Sequence, residues 1–244
     1  MEKRIIARGL LAGAIASVAA FAFARTFVEP LIEQAIAYEE AQAAGHEHGV
    51  EMFTRGVQAN IGMGFGVLAF GVAMGALFAV VYCVAYGRVG SLSPRMLSVL
   101  LAGAMFLSLY VVPFLKYPPN PPAAGLDETI RQRTLLYLMI VVLSAALLVA
   151  VVWLGRSLLE RFGVWSATLI AAASYVVAVT IVMLVLPAID ETPNGFPADV
   201  LYEFRLYSLG TQFVLWVIIA VVFASMAHRL LGENRNRQES YLPA

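Results

Sequence analysis

With 244 residues, 61% of them hydrophobic and 13% charged, and a mean hydropathy of +0.80, the chain is too apolar for a water-soluble domain, where about 25% of residues carry charge. Sixteen basic and sixteen acidic residues cancel, which excludes a strongly basic nucleic-acid-binding face. The single cysteine, Cys83, excludes an intrachain disulfide.

Crossing about 30 Å of hydrocarbon takes roughly 20 apolar residues in a helix. Six segments qualify: 5–27, 57–86, 96–115, 134–154, 164–186 and 206–227. Backbone polar groups in lipid must be satisfied within the segment, so all six are predicted helices. The expected fold is all-α: a polytopic helical bundle of six transmembrane helices in three hairpins, forming a single membrane domain over 1–244. The first segment is open to a second reading. Lys3, Arg4 and Arg8, an apolar run and Ala22-Phe23-Ala24 resemble a cleavable signal peptide. The spacing Gly9-x-x-x-Gly13-x-x-x-Ser17 puts small residues on one face, which suits close helix packing, and a retained helix is expected. Arg8 and Arg25 are expected to snorkel to the interface. The second helix is glycine-rich, with Gly62, Gly64, Gly66, Gly71 and Gly75, and Ser93-Pro94 forms an N-cap and first-turn proline for the third.

Orientation follows from basic residues. Ten of the sixteen lie at the N-terminus, in the short connections near 87–95 and 155–163, or in the tail 228–244: Lys3, Arg4, Arg8, Arg88, Arg95, Arg156, Arg161, Arg229, Arg235 and Arg237. The positive-inside rule then places both termini in the cytoplasm. The opposite side holds Arg25, Arg55, Lys116, Arg131, Arg133 and Arg205, together with twelve of the sixteen acids. The neutral sum is therefore a positive inner face and a negative outer one. A negative outer face concentrates cations.

The outer connections are long: an acidic, histidine-containing loop at 28–56, a proline-rich loop at 116–133 and an acidic loop at 187–205. Loops of such length are usually functional or disordered. In the first, His46 and His48 lie two apart among Glu39, Glu40, Glu47 and Glu51. Imidazole with carboxylate is a ligand set for zinc, nickel or cobalt, and on an extended backbone the two imidazoles point the same way. A merely solvated loop is the alternative. The second loop, Lys116-Tyr117-Pro118-Pro119-Asn120-Pro121-Pro122, cannot be helical and reads as a rigid cover. Asp190 and Glu191 in the third loop, with Asn120, Asn194, Gln58 and Gln212, are candidates for a secondary path or for loop contacts. No carboxylate or histidine lies mid-span, although such groups usually mark ion or proton relays. No Gly-x-x-x-x-Gly-Lys phosphate loop and no His-Glu-x-x-His pattern is present. No nucleophile–base pair can be assembled from the outer loops either, so the chain is not expected to be an enzyme.

A shift of 74 residues aligns Pro113 with Pro187, Pro119 with Pro193, Asn120 with Asn194 and Arg131 with Arg205. Either the last two hairpins are copies of one unit, or prolines and arginines simply gather where helices meet the interface.

Across nearly the whole chain the loop motifs are specific: Glu29-Pro30-Leu31-Ile32 with Tyr38-Glu39 and His46-x-His48, then Lys116-Tyr117-Pro118-x-Asn120-Pro121-Pro122-Ala123, then Asp190-Glu191-x-Pro193, Phe204-Arg205 and Gln212. In these the chain resembles the CbtA family, whose members are described as probable cobalt transporter subunits. The resemblance implies a plasma-membrane subunit that captures a divalent transition metal, cobalt first, at His46, His48 and the neighbouring carboxylates. The ion would be transient cargo, with no tightly bound cofactor. It also implies a small companion of the CbtB type, with the route completed by that partner or by homo-oligomerisation. The rival expectation is a scaffold or sensor whose outer loops bind another protein without transport.

Overall fold

The computed structural model describes residues 2–42, 53–90, 92–122, 124–125, 129–189, 191–193 and 195–240, with only the helical backbone given over 231–240. Among these the chain is all-helical. The helices are α1 (Glu2–Gln42), α2 (Arg55–Ala85), α3 (Pro94–Lys116), α4 (Ile130–Val185) and α5 (Ala198–Ser240). All five are long and apolar enough to cross a membrane.

Two of these helices run through a proline. A π turn occupies Ala24–Val28 in α1 and Leu107–Val111 in α3, each ending two residues before proline, at Pro30 and Pro113. Proline lacks an N–H, and its ring collides with the carbonyl four residues back. Widening the preceding turn, with Glu29 N–H on Ala24 O and Val112 N–H on Leu107 O, carries the helix past it. This is why α1 continues to Gln42, where the sequence led us to expect loop from residue 28 onward.

The 56 residues of α4 would span about 84 Å if straight. They are broken at Gly163, whose φ of 72° and ψ of 169° belong to glycine alone. The arms 130–162 and 164–185 fold back on each other. Ser144 and Tyr175 share a buried hydroxyl hydrogen bond of 2.7 Å, and Ile140 packs with Tyr175 and Val179. The connection expected at 155–163 is therefore helix with a one-residue break, because 155–162 lacks proline and only Gly163 leaves helical geometry. Trp153 and Trp165, both about three-quarters exposed, flank Arg156 and Arg161, the aromatic and basic pairing found at membrane interfaces.

The described residues fall into two compact units. The first draws on Met1–Glu33, Ala43–Gly103 and Leu206–Ala244. Its α1 and α2 are antiparallel and so close that a Cβ on Gly13 would come within 2.1 Å of Gly71 O, and one on Gly75 within 2.2 Å of Gly9 O. Such contact between backbones needs small residues on both helices, and the Gly9, Gly13, Ser17 face meets Gly71, Gly75 and Ala79. Helix α5 closes this unit. Phe223 stacks edge-on against Phe78 and Tyr82, with all three rings fully buried. Near the start of α1, Arg8 Nη1 donates to Met226 O at 3.0 Å rather than snorkelling alone. The second unit, Gln34–Gln42 with Ala104–Arg205, holds both arms of α4 and the segments on either side.

Candidate functional site

In the second unit the proline-rich segment supplies carbonyls but few N–H donors, because proline has none. Two arginines, each in the first turns of a helix, meet that need. Arg133 Nη2 donates to Pro118 O, and Arg205 Nε to Pro119 O at 3.4 Å. The remaining nitrogens reach side chains. Arg133 Nη1 lies 2.7 Å from Glu191 Oε2, and Arg205 Nη2 lies 2.8 Å from Asn120 Oδ1. Asn120 Nδ2 donates to Glu191 Oε2 at 3.3 Å and to Ala124 O at 3.3 Å. Thr129 Oγ1 donates to Glu191 Oε1. Glu191 is buried at 6% exposure, and both of its oxygens are engaged. Its charge is compensated where it sits, and a cation would have to displace Arg133 to reach it. Tyr117 adds a second tie, its hydroxyl donating to Pro187 O at 2.8 Å, and burial pushes this phenol above its ordinary range.

The first unit carries a second ion pair at the start of α2. Arg55 Nη2 donates to Glu29 Oε1, and Glu29 is only 1% exposed. The pair is one-pronged: Glu29 Oε2 and Arg55 Nε are buried without a hydrogen-bond partner. Arg25 Nε donates to Asn60 Oδ1 at 3.1 Å. Deeper in the same unit, Gln212 Oε1 is buried and unpartnered beside a cleft of about 190 Å³.

The capture residues inferred from sequence are placed only in part. Glu39 and Glu40 are exposed on the last turns of α1, beyond Pro30. His46, His48, Glu47 and Glu51, with Asp190 and Asn194, lie outside the described residues. Gln58 is exposed and donates to Phe53 O at 3.0 Å. Asn120 and Glu191 are brought together, while Gln212 stands in the other unit. Among the described residues no group of three or more His, Cys, Asp or Glu side chains converges. Sequence reasoning placed Glu29 and Arg55 among the outer charges and paired Arg131 with Arg205. Arg131 is exposed, and Arg133 joins the network instead. A signal was present: Arg55, Arg133 and Arg205 each lie in the first turns of a helix that follows a long connecting segment.

The model of the family described as probable cobalt transporter subunit (CbtA) matches residues 2–228. The chain belongs to this family. It is thus a membrane transport subunit, and its long apolar helices fit a multi-pass inner-membrane CbtA protein. No curated protein and no solved structure matches it.

Proposed function

We propose that this CbtA-family chain is the membrane subunit of an uptake system for a divalent transition metal, cobalt first, with both termini cytoplasmic and six spans in three hairpins. The observation that carries the proposal is the family match over residues 2–228. The break at Gly163 supports six spans, since each arm of α4 exceeds the roughly 20 residues a crossing needs. Capture falls to His46, His48, Glu39, Glu40, Glu47 and Glu51, whose imidazole and carboxylate groups suit borderline divalent ions, with the negative outer face raising the local cation concentration. Glu29, in the first unit, is a further candidate carboxylate, because Arg55 holds one of its oxygens and leaves the other without a partner. Glu191 serves instead to fasten the outer segments of the second unit. The route across the bilayer is completed by a CbtB-type small subunit or by further copies of the chain.

Equilibrium dialysis of the purified protein against cobalt tests the capture step. The wild type is expected to bind, and the double variant His46→Ala, His48→Ala to lose at least tenfold in affinity. Equal binding by the two would remove these histidines from the proposal.

A further inference from the structure

The cleft beside Gln212 is lined by Ala20 of α1, Gly66 and Phe70 of α2, and Thr211 and Gln212 of α5. Helix α1 packs antiparallel to α5, with Arg8 against Met226 and Phe23 against Gly210. Ala20 stands nine residues inward of Glu29 along α1, about 13 Å, so the cleft lies at hydrocarbon depth. A buried amide oxygen without a donor is costly there, because lipid tails offer no hydrogen bonds. Exchanging the amide oxygen and nitrogen only replaces an unmet acceptor with an unmet donor. The α2 side has room for another backbone: Gly66 is exposed and a Cβ there would meet nothing within 4 Å, and Phe70 is 43% exposed beside it, while Ala20 is already covered. Small residues that permit close approach, combined with one polar side chain, are the chemistry by which helices associate in membranes. The family is described as a subunit, so a companion is expected.

We propose that this cleft seats a transmembrane helix of the companion subunit, which donates a hydrogen bond to Gln212 Oε1. The inference rests on the transport-subunit reading above and gives it an interface.

The test is co-expression of the tagged full chain with a CbtB-type subunit, purification, and measurement of the ratio of the two proteins. Gly66→Phe, which fills the cleft, is expected to lower the recovered companion by at least about tenfold. Gln212→Leu should lower it roughly threefold, the usual worth of one polar contact between membrane helices. Val149→Phe, at an exposed position in the other unit, should leave it unchanged. In the chain expressed alone, Gln212→Leu should melt at the wild-type temperature or above, because it removes an unmet polar atom. The inference would be overturned by no complex with the wild-type chain, by full recovery with Gly66→Phe, or by a lower melting temperature for Gln212→Leu alone, which would assign the amide to an internal water. Disulfide-linked dimers of Gly66→Cys in a Cys83→Ser background would overturn it in favour of a second copy. Association is read here rather than metal uptake, so failure would leave the transport reading standing.

Discussion

Arg133 and Glu191 are 58 residues apart in sequence, and their side chains meet at 2.7 Å, tying the start of α4 to the segment that follows it. Because Glu191 is nearly fully buried, the two halves of the pair are not equivalent under substitution. Arg133→Gln leaves an uncompensated buried carboxylate and is expected to cost about 3 kcal/mol, the low end for a buried pair because Arg133 remains one-quarter exposed. Glu191→Gln keeps an oxygen that accepts from Thr129 and should cost about 1 kcal/mol. Thermal unfolding in detergent orders the two. A larger loss for Glu191→Gln would show that the pair is not charge-compensated in this way.

The contact between α1 and α2 makes glycines differ sharply. Gly13→Ala drives a Cβ to 2.1 Å from Gly71 O and Gly75→Ala to 2.2 Å from Gly9 O. Each should lose about 1–3 kcal/mol or more from overpacking. Gly103→Ala, in α3 with open space around it, should be neutral or stabilising by up to about 1 kcal/mol. The same detergent melts decide, and equal effects at all three positions would contradict the close approach.

At Gly163 the backbone conformation itself is the constraint. Gly163→Ala must either adopt a region that L-residues avoid, costing about 1–3 kcal/mol, or continue the helix and separate the arms. Disulfide formation between cysteines placed at Gly155 and Ala171, in a Cys83→Ser background, reports the fold-back. A Cβ at Gly155 lies 3.1 Å from the Cβ of Ala171, so the wild-type break should give efficient cross-linking and Gly163→Ala a marked loss.

Tyr117 gives a pH dependence. Its folded-state pKa is raised by burial above the ordinary value of about 10. Its contribution to stability is therefore complete below pH 10 and is lost as pH rises through the folded value. Tyr117→Phe should cost about 1 kcal/mol at neutral pH for the lost bond to Pro187 O. It should also flatten the alkaline decline, which stability measurements from pH 8 to 11 would show.

What the sequence made legible follows physical range. Apolar runs report burial in lipid residue by residue, and the spacing of Gly9, Gly13 and Ser17 reports a small-residue face of α1, so membrane-length helices and that face were readable, whereas its pairing with Gly71 and Gly75 of α2 was not. Prolines misled in one place: Pro30 looked like a helix end, but the π turn at Ala24–Val28 absorbs it and carries α1 to Gln42. The clamp was not readable. Asn120, Arg133, Glu191 and Arg205 are polar residues in polar segments, and only the folded chain brings positions as far apart as Asn120 and Arg205 to 2.8 Å. Glu29 carries the same lesson, since a carboxylate at the edge of a span reads as solvated until Arg55, 26 residues later, buries it.

Cobalt uptake tests the central claim most directly. Cells lacking other cobalt importers, expressing the chain together with a CbtB-type subunit, should accumulate radiolabelled cobalt well above cells carrying the empty vector. The His46→Ala, His48→Ala variant, expressed to the same level, should fall most of the way back. Accumulation no higher than the empty vector with both proteins present in the membrane would contradict transport, and unchanged uptake by the double variant would contradict capture at these histidines.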